Sequence, residues 1–411
     1  MIQKQNIDTL RSFYDLMEKT RTVRAVIVSR LISSQPGNRK HIDALKNALA
    51  SLKKRIRNGY KTDLILEGSD SIEVDLFYEI KELEKDVHYL QNGEELFLSY
   101  LESLHPDFSF YVKEGVKQLQ DTHFNCFITD RDGTINNYCG RYRSSIQSVY
   151  NAVFLTRFVM HRTSHPIIIT SAPLKGPGLM DVCTLPSQTV IYAASKGREF
   201  IDLAGVRRSF PIDTDKQQLI DRLNRRLKAL VAEASHERFS LIGSGLQLKF
   251  GQTTIARQDI NGSISEDRSK AFLDLIKSLV EEIDPTGENF KIEDTGLDVE
   301  IILTCSDQDG GLKDFDKKEA VWFLDRELNL HMENGPHLIC GDTASDLPML
   351  EAAMEKSTDT RSIFVTKDPQ LAERVAAICP QALTVPEPDM LIAILNRQAG
   401  RMKREKQMVA Q

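Results

Sequence analysis

The chain has 411 residues, with 53 Lys+Arg against 59 Asp+Glu, a net charge of −6 and an isoelectric point near 5.9. Hydrophobic residues make up 41% and charged residues 27%, ordinary globular usage that excludes a disordered chain, a collagen-like repeat and a disulfide-stapled miniprotein, and at about 150 residues per domain the length predicts two to three domains. The acidic balance argues against nucleic-acid binding, no apolar run reaches the roughly 18 residues of a membrane span, and MIQKQNIDTLRSF has no basic stretch leading into an apolar one, so the expectation is a cytoplasmic protein.

Residues 1–118 read as a helical domain. Helical periodicity runs over 7–32 through Leu10, Phe13, Met17, Val23, Val26 and Leu31. The breaker cluster SSQPGN at 33–38 ends it. A second run carries Ile42, Leu45, Leu49, Leu52 and Ile56, ending at Asn58-Gly59. A third, over 71–90, spaces Ile72, Leu76, Ile80, Leu83 and Val87 by three or four, and Gly93 and His105-Pro106 mark further breaks. No β-alternation is read here, which predicts a helical bundle or hairpin. The alternating charges of KELEK and KKRIR read as a solvated face. The domain is also a candidate surface for a protein partner or for self-association.

The pattern changes at His123. FNCFITD (124–130), HPIIITS (165–171), TVIYAAS (189–195), HLICGD (337–342) and SIFVT (362–366) are apolar runs without alternation, as expected of parallel strands covered on both faces. Helical stretches at 144–157 and 318–330 lie between them. This is the βαβ rhythm of an α/β fold with a Rossmann-like, doubly wound parallel sheet. From 205 to 304 the strands alternate polar and apolar and two long helices accompany them, which predicts an α+β module inserted between core segments 119–204 and 305–411. The six cysteines are far apart and never C-x-x-C, so reduced, mostly buried thiols are expected.

The sharpest chemical feature is Asp130-Arg131-Asp132-Gly133-Thr134, directly after an apolar strand. Two carboxylates at i and i+2 on such a loop project into the crevice where open α/β sheets bind ligands, although an acid after a strand also serves as a helix N-cap. Asp342 and Asp346 follow the strand HLICG. Four acids converging in one crevice repel, and oxygen-only ligands point to Mg²⁺ rather than Zn²⁺. A third strand end carries Thr170-Ser171, whose hydroxyl and main-chain N–H could hold a phosphate oxygen. Lys317 or Lys318, opening a helix, could supply positive charge.

The order DRDGT, strand–Thr/Ser, Lys and GDxxxD resembles the haloacid-dehalogenase phosphatase superfamily over about 122–400. The resemblance implies that Asp130 is the nucleophile, Asp132 the general acid and base, Thr170 the phosphoryl clamp and Lys317 the charge neutraliser. It implies Mg²⁺ held by Asp130, the carbonyl of Asp132 and Asp342, with Asp346 in support. The insert lies where that superfamily carries its α/β cap, and further segments resemble the trehalose-6-phosphate phosphatases. AASKGREF matches at Gly197 and Glu199, and SGLQLKF keeps Lys249 with Gln247 for their usual Glu. DVEI brings Glu300, and FDKKEA has Lys318 where Gly is usual. DRDGTINNYCGRYR, TSAPLK and the preceding helical domain resemble the nematode type.

The implied substrate is trehalose 6-phosphate, its phosphate on Thr170, Ser171 and Lys317 and its hydroxyls on Gly197, Gln247, Lys249 and Glu300. The usual S-G-R arginine is missing, with Lys175 or Arg141 as candidates to replace it. Asn136 and Asn137 read as turn residues, and Trp322 as core. The competing readings are another sugar-phosphate phosphatase or a phosphomutase of the same superfamily, acting for example on sucrose phosphate or mannosyl-3-phosphoglycerate, and a regulatory scaffold on the same core.

Overall fold

The computed structural model describes residues 2–35, 39–66, 71–306, 312–313 and 315–409, without the side chains of 305–306, 312–313 and 401–409. The N-terminal region holds α1 (Leu10–Ile32), α2 (Arg39–Lys53), the strands β1 (Lys61–Ile65) and β2 (Ser71–Asp75), α3 (Phe77–Leu104) and α4 (Phe108–Leu119). Thr9 caps α1, accepting the Ser12 N–H, as a short hydroxyl side chain does at an N-cap. Gly93 interrupts α3 at φ 80°, the break expected there.

The antiparallel β1–β2 hairpin corrects the helix expected from residue 71. Ile72 and Val74 are buried while Ser71 and Glu73 are exposed, which is alternation of period two. Ile72, Leu76 and Ile80 also fit a period of four, and that coincidence hid the strand. A second correction concerns charge. Glu79, Glu82, Lys85 and Asp86 on α3 are buried, so KELEK faces the rest of the protein rather than solvent. Long charged side chains are buried only when paired. Asp86 is paired with the fully buried Arg24 of α1, Nε to Oδ2 at 2.6 Å.

The core follows as β3 (Phe124–Thr129), α5 (Val149–Arg162), β4 (Thr163–Ile169), α6 (Leu179–Val182), β5 (Ile191–Ala194), β6 (Glu199–Ile201) and β7 (Arg207–Ser209). The inserted segment comprises α7 (Thr214–Val231), α8 (Arg238–Leu241), β8 (Leu246–Lys249), β9 (Gln252–Ala256), α9 (Glu266–Ile283), β10 (Phe290–Asp294) and β11 (Asp298–Leu303). After the two-residue strands β12 (Cys305–Ser306) and β13 (Leu312–Lys313), the chain re-enters the core. There it forms α10 (Lys317–Leu328), β14 (His337–Gly341), α11 (Leu347–Lys356), β15 (Thr360–Val365), α12 (Pro369–Ile378), β16 (Ala382–Val385) and α13 (Pro388–Val409).

The large sheet has the order β16-β15-β14-β3-β4-β5-β6-β7. Its first six strands are parallel and β6 and β7 are antiparallel additions at one edge. The apolar runs of β3, β4 and β14 are buried almost throughout, because helices cover both faces. Phe127 and Leu338 belong to one apolar cluster and Ile128 and Ile339 to the other, as strand residues of opposite parity must. The first cluster is continuous with Phe13, Leu45, Ile80 and Phe97 of the helical region, so the bundle shares its core with α5 and α13. The five cysteines with described side chains are buried and free. Trp322, expected in the core, is 39% exposed. Among the described residues no helix is long and apolar enough to cross a membrane.

Candidate active site

The adjacent parallel strands β14, β3 and β4 end on one side of the sheet, and each delivers one of the predicted loops. Asp130 follows β3, Thr170 follows β4 and Asp342 follows β14. Above them stands the antiparallel sheet β10-β11-β9-β8. Its register aligns Gln247 with Thr254 and Thr254 with Glu300. Residues two apart share a face, so Lys249 and Asp298 point the same way, while Ile255, Val299 and Ile301 bury the opposite face.

A cavity of about 260 Å³ lies between the two sheets. Asp130, Asp132, Thr170, Ser171, Lys317, Asp342 and Asp346 line it from the core, and Gln247, Lys249 and Glu300 from the insert. Ten of the eleven residues singled out in the sequence are thereby together. Gly197 does not line it. Its φ is +89°, and a Cβ there would stand 2.4 Å from the Cβ of Ala320, so this glycine lets the turn after β5 pack on α10. Tyr142, Ser244, Thr254 and Asp298, to which the sequence motifs assigned no role, also line the cavity. Ser244 and Asp298 share a hydrogen bond of 3.0 Å.

At the floor, Lys317 Nζ bonds Asp130 Oδ1 at 2.7 Å and also holds Asp346 Oδ1. Asp316 caps α10 by accepting the Lys318 and Glu319 amides, which fixes Lys317 on the first turn. Lys318 instead pairs with Glu355, so Lys317 is the cation at the site. Asp346 Oδ2 accepts the amides of Asp342 and Thr343 at 3.0 and 2.9 Å. Burial works against its charge, but Lys317 and these amides hold its carboxyl below the usual range. Asp130 behaves oppositely. Burial, with the neighbouring charges of Asp346 and Asp132, pushes its carboxyl up to about 7 against the pull of Lys317. Asp342, half-buried and facing Asp130 and Asp346, is pushed up to about 8 by desolvation and by those charges. Its Oδ1 accepts the Thr134 hydroxyl at 2.7 Å. A Cβ on Gly133, at φ +93°, would come within 2.2 Å of Asp342 Oδ2, so only glycine lets the Asp132 loop approach the β14 loop this closely.

Among the described residues no three His, Cys, Asp or Glu side chains converge as a ready metal cluster. Two carboxylates, Asp130 and Asp342, stand raised, Asp130 even with Lys317 in contact. The Asp346 oxygens are engaged as described, and Asp132 Oδ1 takes Arg131 and the Ser145 hydroxyl, the latter at 2.8 Å. A donor set of two carboxylates plus main-chain oxygen suits a hard divalent cation and not zinc. Thr170 donates its amide to Ala193 at 2.9 Å, and its hydroxyl oxygen accepts the Ala172 amide at 3.2 Å. Its O–H, and not its N–H, is therefore left for a ligand. Neither candidate for the missing arginine lines the cavity. Lys175 is exposed, and Arg141 is buried against Asp75 and Glu79 of the helical region.

The insert supplies a second buried lysine. Lys249 Nζ stands 3.7 Å from Glu300 Oε1, beyond hydrogen-bond length, and Lys196 Nζ is 4.0 Å from the other oxygen. Burial lowers Lys249 despite Glu300.

Residues 127–391 match the family model described as trehalose-6-phosphate phosphatase, C-terminal. The chain belongs to this family. Residues 9–108 match the trehalose-6-phosphate phosphatase N-terminal helical bundle domain. The chain is 32% identical over 399 residues to an alpha,alpha-trehalose-phosphate synthase (UDP-forming) 2 of Aphelenchoides avenae, covering 92% of this chain and 30% of that protein. A synthase of the same description from Caenorhabditis elegans is 32% identical over 397 residues, with 92% and 32% covered. The chain thus spans about a third of the length of these relatives. A trehalose-phosphatase of Brugia malayi is 28% identical over 414 residues, covering 92% of this chain and 82% of that protein.

Proposed function

We propose that this family member hydrolyses trehalose 6-phosphate to trehalose and phosphate through an aspartyl-phosphate on Asp130. The observation that carries the reading is the buried Asp130–Lys317 contact at the cavity floor beneath a sheet face of hydroxyl-binding side chains. Asp130 attacks phosphorus as the bond to the sugar oxygen breaks, and Asp132 gives that oxygen its proton. Asp132 then takes a proton from the water that attacks the phosphoryl group, which frees Asp130 and releases phosphate. The Thr170 hydroxyl, Ser171 and Lys317 hold the phosphoryl oxygens, and in-line positioning with charge neutralisation is most of what phosphoryl transfer asks of a protein. Asp130 and Asp342, with the Asp132 carbonyl, would hold Mg²⁺, which supplies Lewis-acid neutralisation of the transferring group. Asp346 acts by fixing Lys317 and the Asp342 loop. Gln247, Lys249 and Glu300 read sugar hydroxyls.

The test is phosphate release from a panel of sugar phosphates, with Mg²⁺ and with chelator. Selective release from trehalose 6-phosphate, abolished by chelator, is expected, and Asp130→Asn should lower it by at least about a thousandfold. A preference for sucrose phosphate or a hexose phosphate would leave the core chemistry standing and overturn the reading of Gln247, Lys249 and Glu300. No release from any compound would favour the regulatory scaffold.

A further inference from the structure

The loop that carries Asp130 and Asp132 is tied to the helical region by side chains that the chemistry above does not use. Asn136 and Asn137, expected as turn residues, both make these ties. Asn136 is 1% exposed. Its amide bonds the Arg131 carbonyl and its carbonyl accepts the Gly133 amide, so it closes the loop around Asp132. Asn136 Nδ2 donates to the Tyr78 hydroxyl at 3.0 Å and to Ser145 Oγ at 3.2 Å. Tyr78 O–H in turn donates to the Ile146 carbonyl at 3.2 Å. Ser145 O–H donates to Asp132 Oδ1 at 2.8 Å. The bonds diverge from Asn136, whose Nδ2 donates both ways, and each hydroxyl accepts one bond and donates another. The network links α3, outside the catalytic core, to the carboxylate proposed as acid and base.

The relay has a geometric consequence. Ser145 and Arg131 both address Oδ1 of Asp132, which leaves Oδ2 for proton transfer. Asn136 Nδ2 also donates to the Asn137 carbonyl at 3.0 Å, so without the Tyr78 hydroxyl it keeps that contact and loses the bond that ties its aim at Ser145 to α3. Beside it, Asn137 Nδ2 donates to Glu82 of α3 at 3.0 Å and to Asp389 of α13 at 2.9 Å. Asp389 is buried with Lys85, Tyr150 and His105 around it. The neighbouring loop residue is thus clamped to the same helix by a second, separate set of bonds, so loss of the Tyr78 hydroxyl removes one tie and leaves the loop in place.

We propose that Tyr78 of the helical domain is a positioning residue for the reaction, orienting Asp132 through Asn136 and Ser145. The helical domain is then part of the catalytic apparatus rather than only an appended module. The inference rests on the functional reading above, in which Asp132 protonates the leaving oxygen.

The experiment compares kcat/KM, which reports the steps up to transfer onto Asp130, for trehalose 6-phosphate and for 4-nitrophenyl phosphate in the full chain. The nitrophenolate leaves without needing a proton, so a misplaced general acid should matter much less. Tyr78→Phe should lower the value for trehalose 6-phosphate roughly fivefold and Ser145→Ala roughly twentyfold, with the double variant no worse than Ser145→Ala, because residues acting in series are not additive. For 4-nitrophenyl phosphate both should stay within about twofold. Equal losses on the two substrates, additive effects or unchanged rates in Tyr78→Phe would each overturn the proposal. Absence of trehalose 6-phosphate hydrolysis in the unaltered chain would instead overturn the functional reading, and the inference with it.

Discussion

Two buried lysines face the same cavity from opposite sides, and they differ. Lys317, on the core, is in hydrogen-bond contact with Asp130 and Asp346, and although burial works against its charge those acids hold it above the ordinary lysine range. Lys249, on the insert, has its nearest acid at 3.7 Å, and burial holds it below that range. Burial is common to both; Lys317 meets two acids at hydrogen-bond length, whereas Lys249 meets one at longer range beside the like charge of Lys196. Preorganised charge at hydrogen-bond length costs nothing to rearrange during a reaction, whereas a buried cation short of partners gains most from a ligand that completes its bonds. On the proposed function, Lys317 meets the phosphoryl group and Lys249 the hydroxyl-rich leaving group.

The sharpest way to break this contrast is to remove each ammonium in turn. Lys317→Met should lower kcat/KM by roughly a hundred- to a thousandfold, the scale of losing one preorganised electrostatic contact at a reacting group. It should also cost stability, because Asp130 and Asp346 would be left buried without their cation. Lys249→Met should cost roughly tenfold, carried mainly by KM. Steady-state kinetics on both variants reads the difference. A Lys249 variant that loses kcat as heavily as the Lys317 variant would erase the distinction between the two faces.

A smaller effect sharpens the same line. Glu300→Gln keeps the shape of the side chain and removes the charge opposite Lys249 and Lys196. A hydrogen bond to a sugar hydroxyl weakens when its acceptor becomes neutral, so KM should rise about fivefold with kcat near the parent value. Hydrolysis of 4-nitrophenyl phosphate, which presents no hydroxyls to this face, should be unchanged. An equal loss on both substrates would move Glu300 from substrate recognition to the integrity of the sheet.

How much of this was legible in the sequence follows the range of the interactions. The strands β3, β4, β5, β14 and β15 were legible because a strand covered on both faces is apolar along its whole length. Asp130, Thr170 and Asp342 were legible because they stand directly after such strands. Gln247 and Glu300 were legible only through resemblance, since their alignment across β8, β9 and β11 is a matter of register that no local pattern displays. The hairpin at Ser71–Asp75 was masked by a spacing that helices also use. Burial of Glu79, Lys85 and Asp86 was unreadable, because their partners Arg141, Asp389 and Arg24 lie far away in the chain. Gly197 stands apart from the other predicted site residues: it packs against Ala320 and does not line the cavity.

A last expected effect concerns pH, and it separates the two faces in the unaltered chain. Asp130 and Asp342 are raised to about 7 and about 8, so below those values they hold protons that a cation must displace. Metal affinity should therefore be full above about pH 8 and fall as pH drops through 8 and then 7, since bound protons and bound cation compete. Calorimetric titration of Mg²⁺ at pH 8.5 and 7.0 should show an affinity loss of roughly tenfold to twentyfold. Asp342→Asn should lower the affinity at both values and flatten the dependence, because one of the competing protons is gone. Glu300→Gln, on the far side of the cavity, should leave both the affinity and its pH dependence as they were. A pH-independent affinity in the unaltered chain would mean that Asp130 and Asp342 are not the oxygens that meet the ion. The positive charge that relieves their repulsion would then have to come from the protein itself, and Lys317 is the cation already in contact with Asp130.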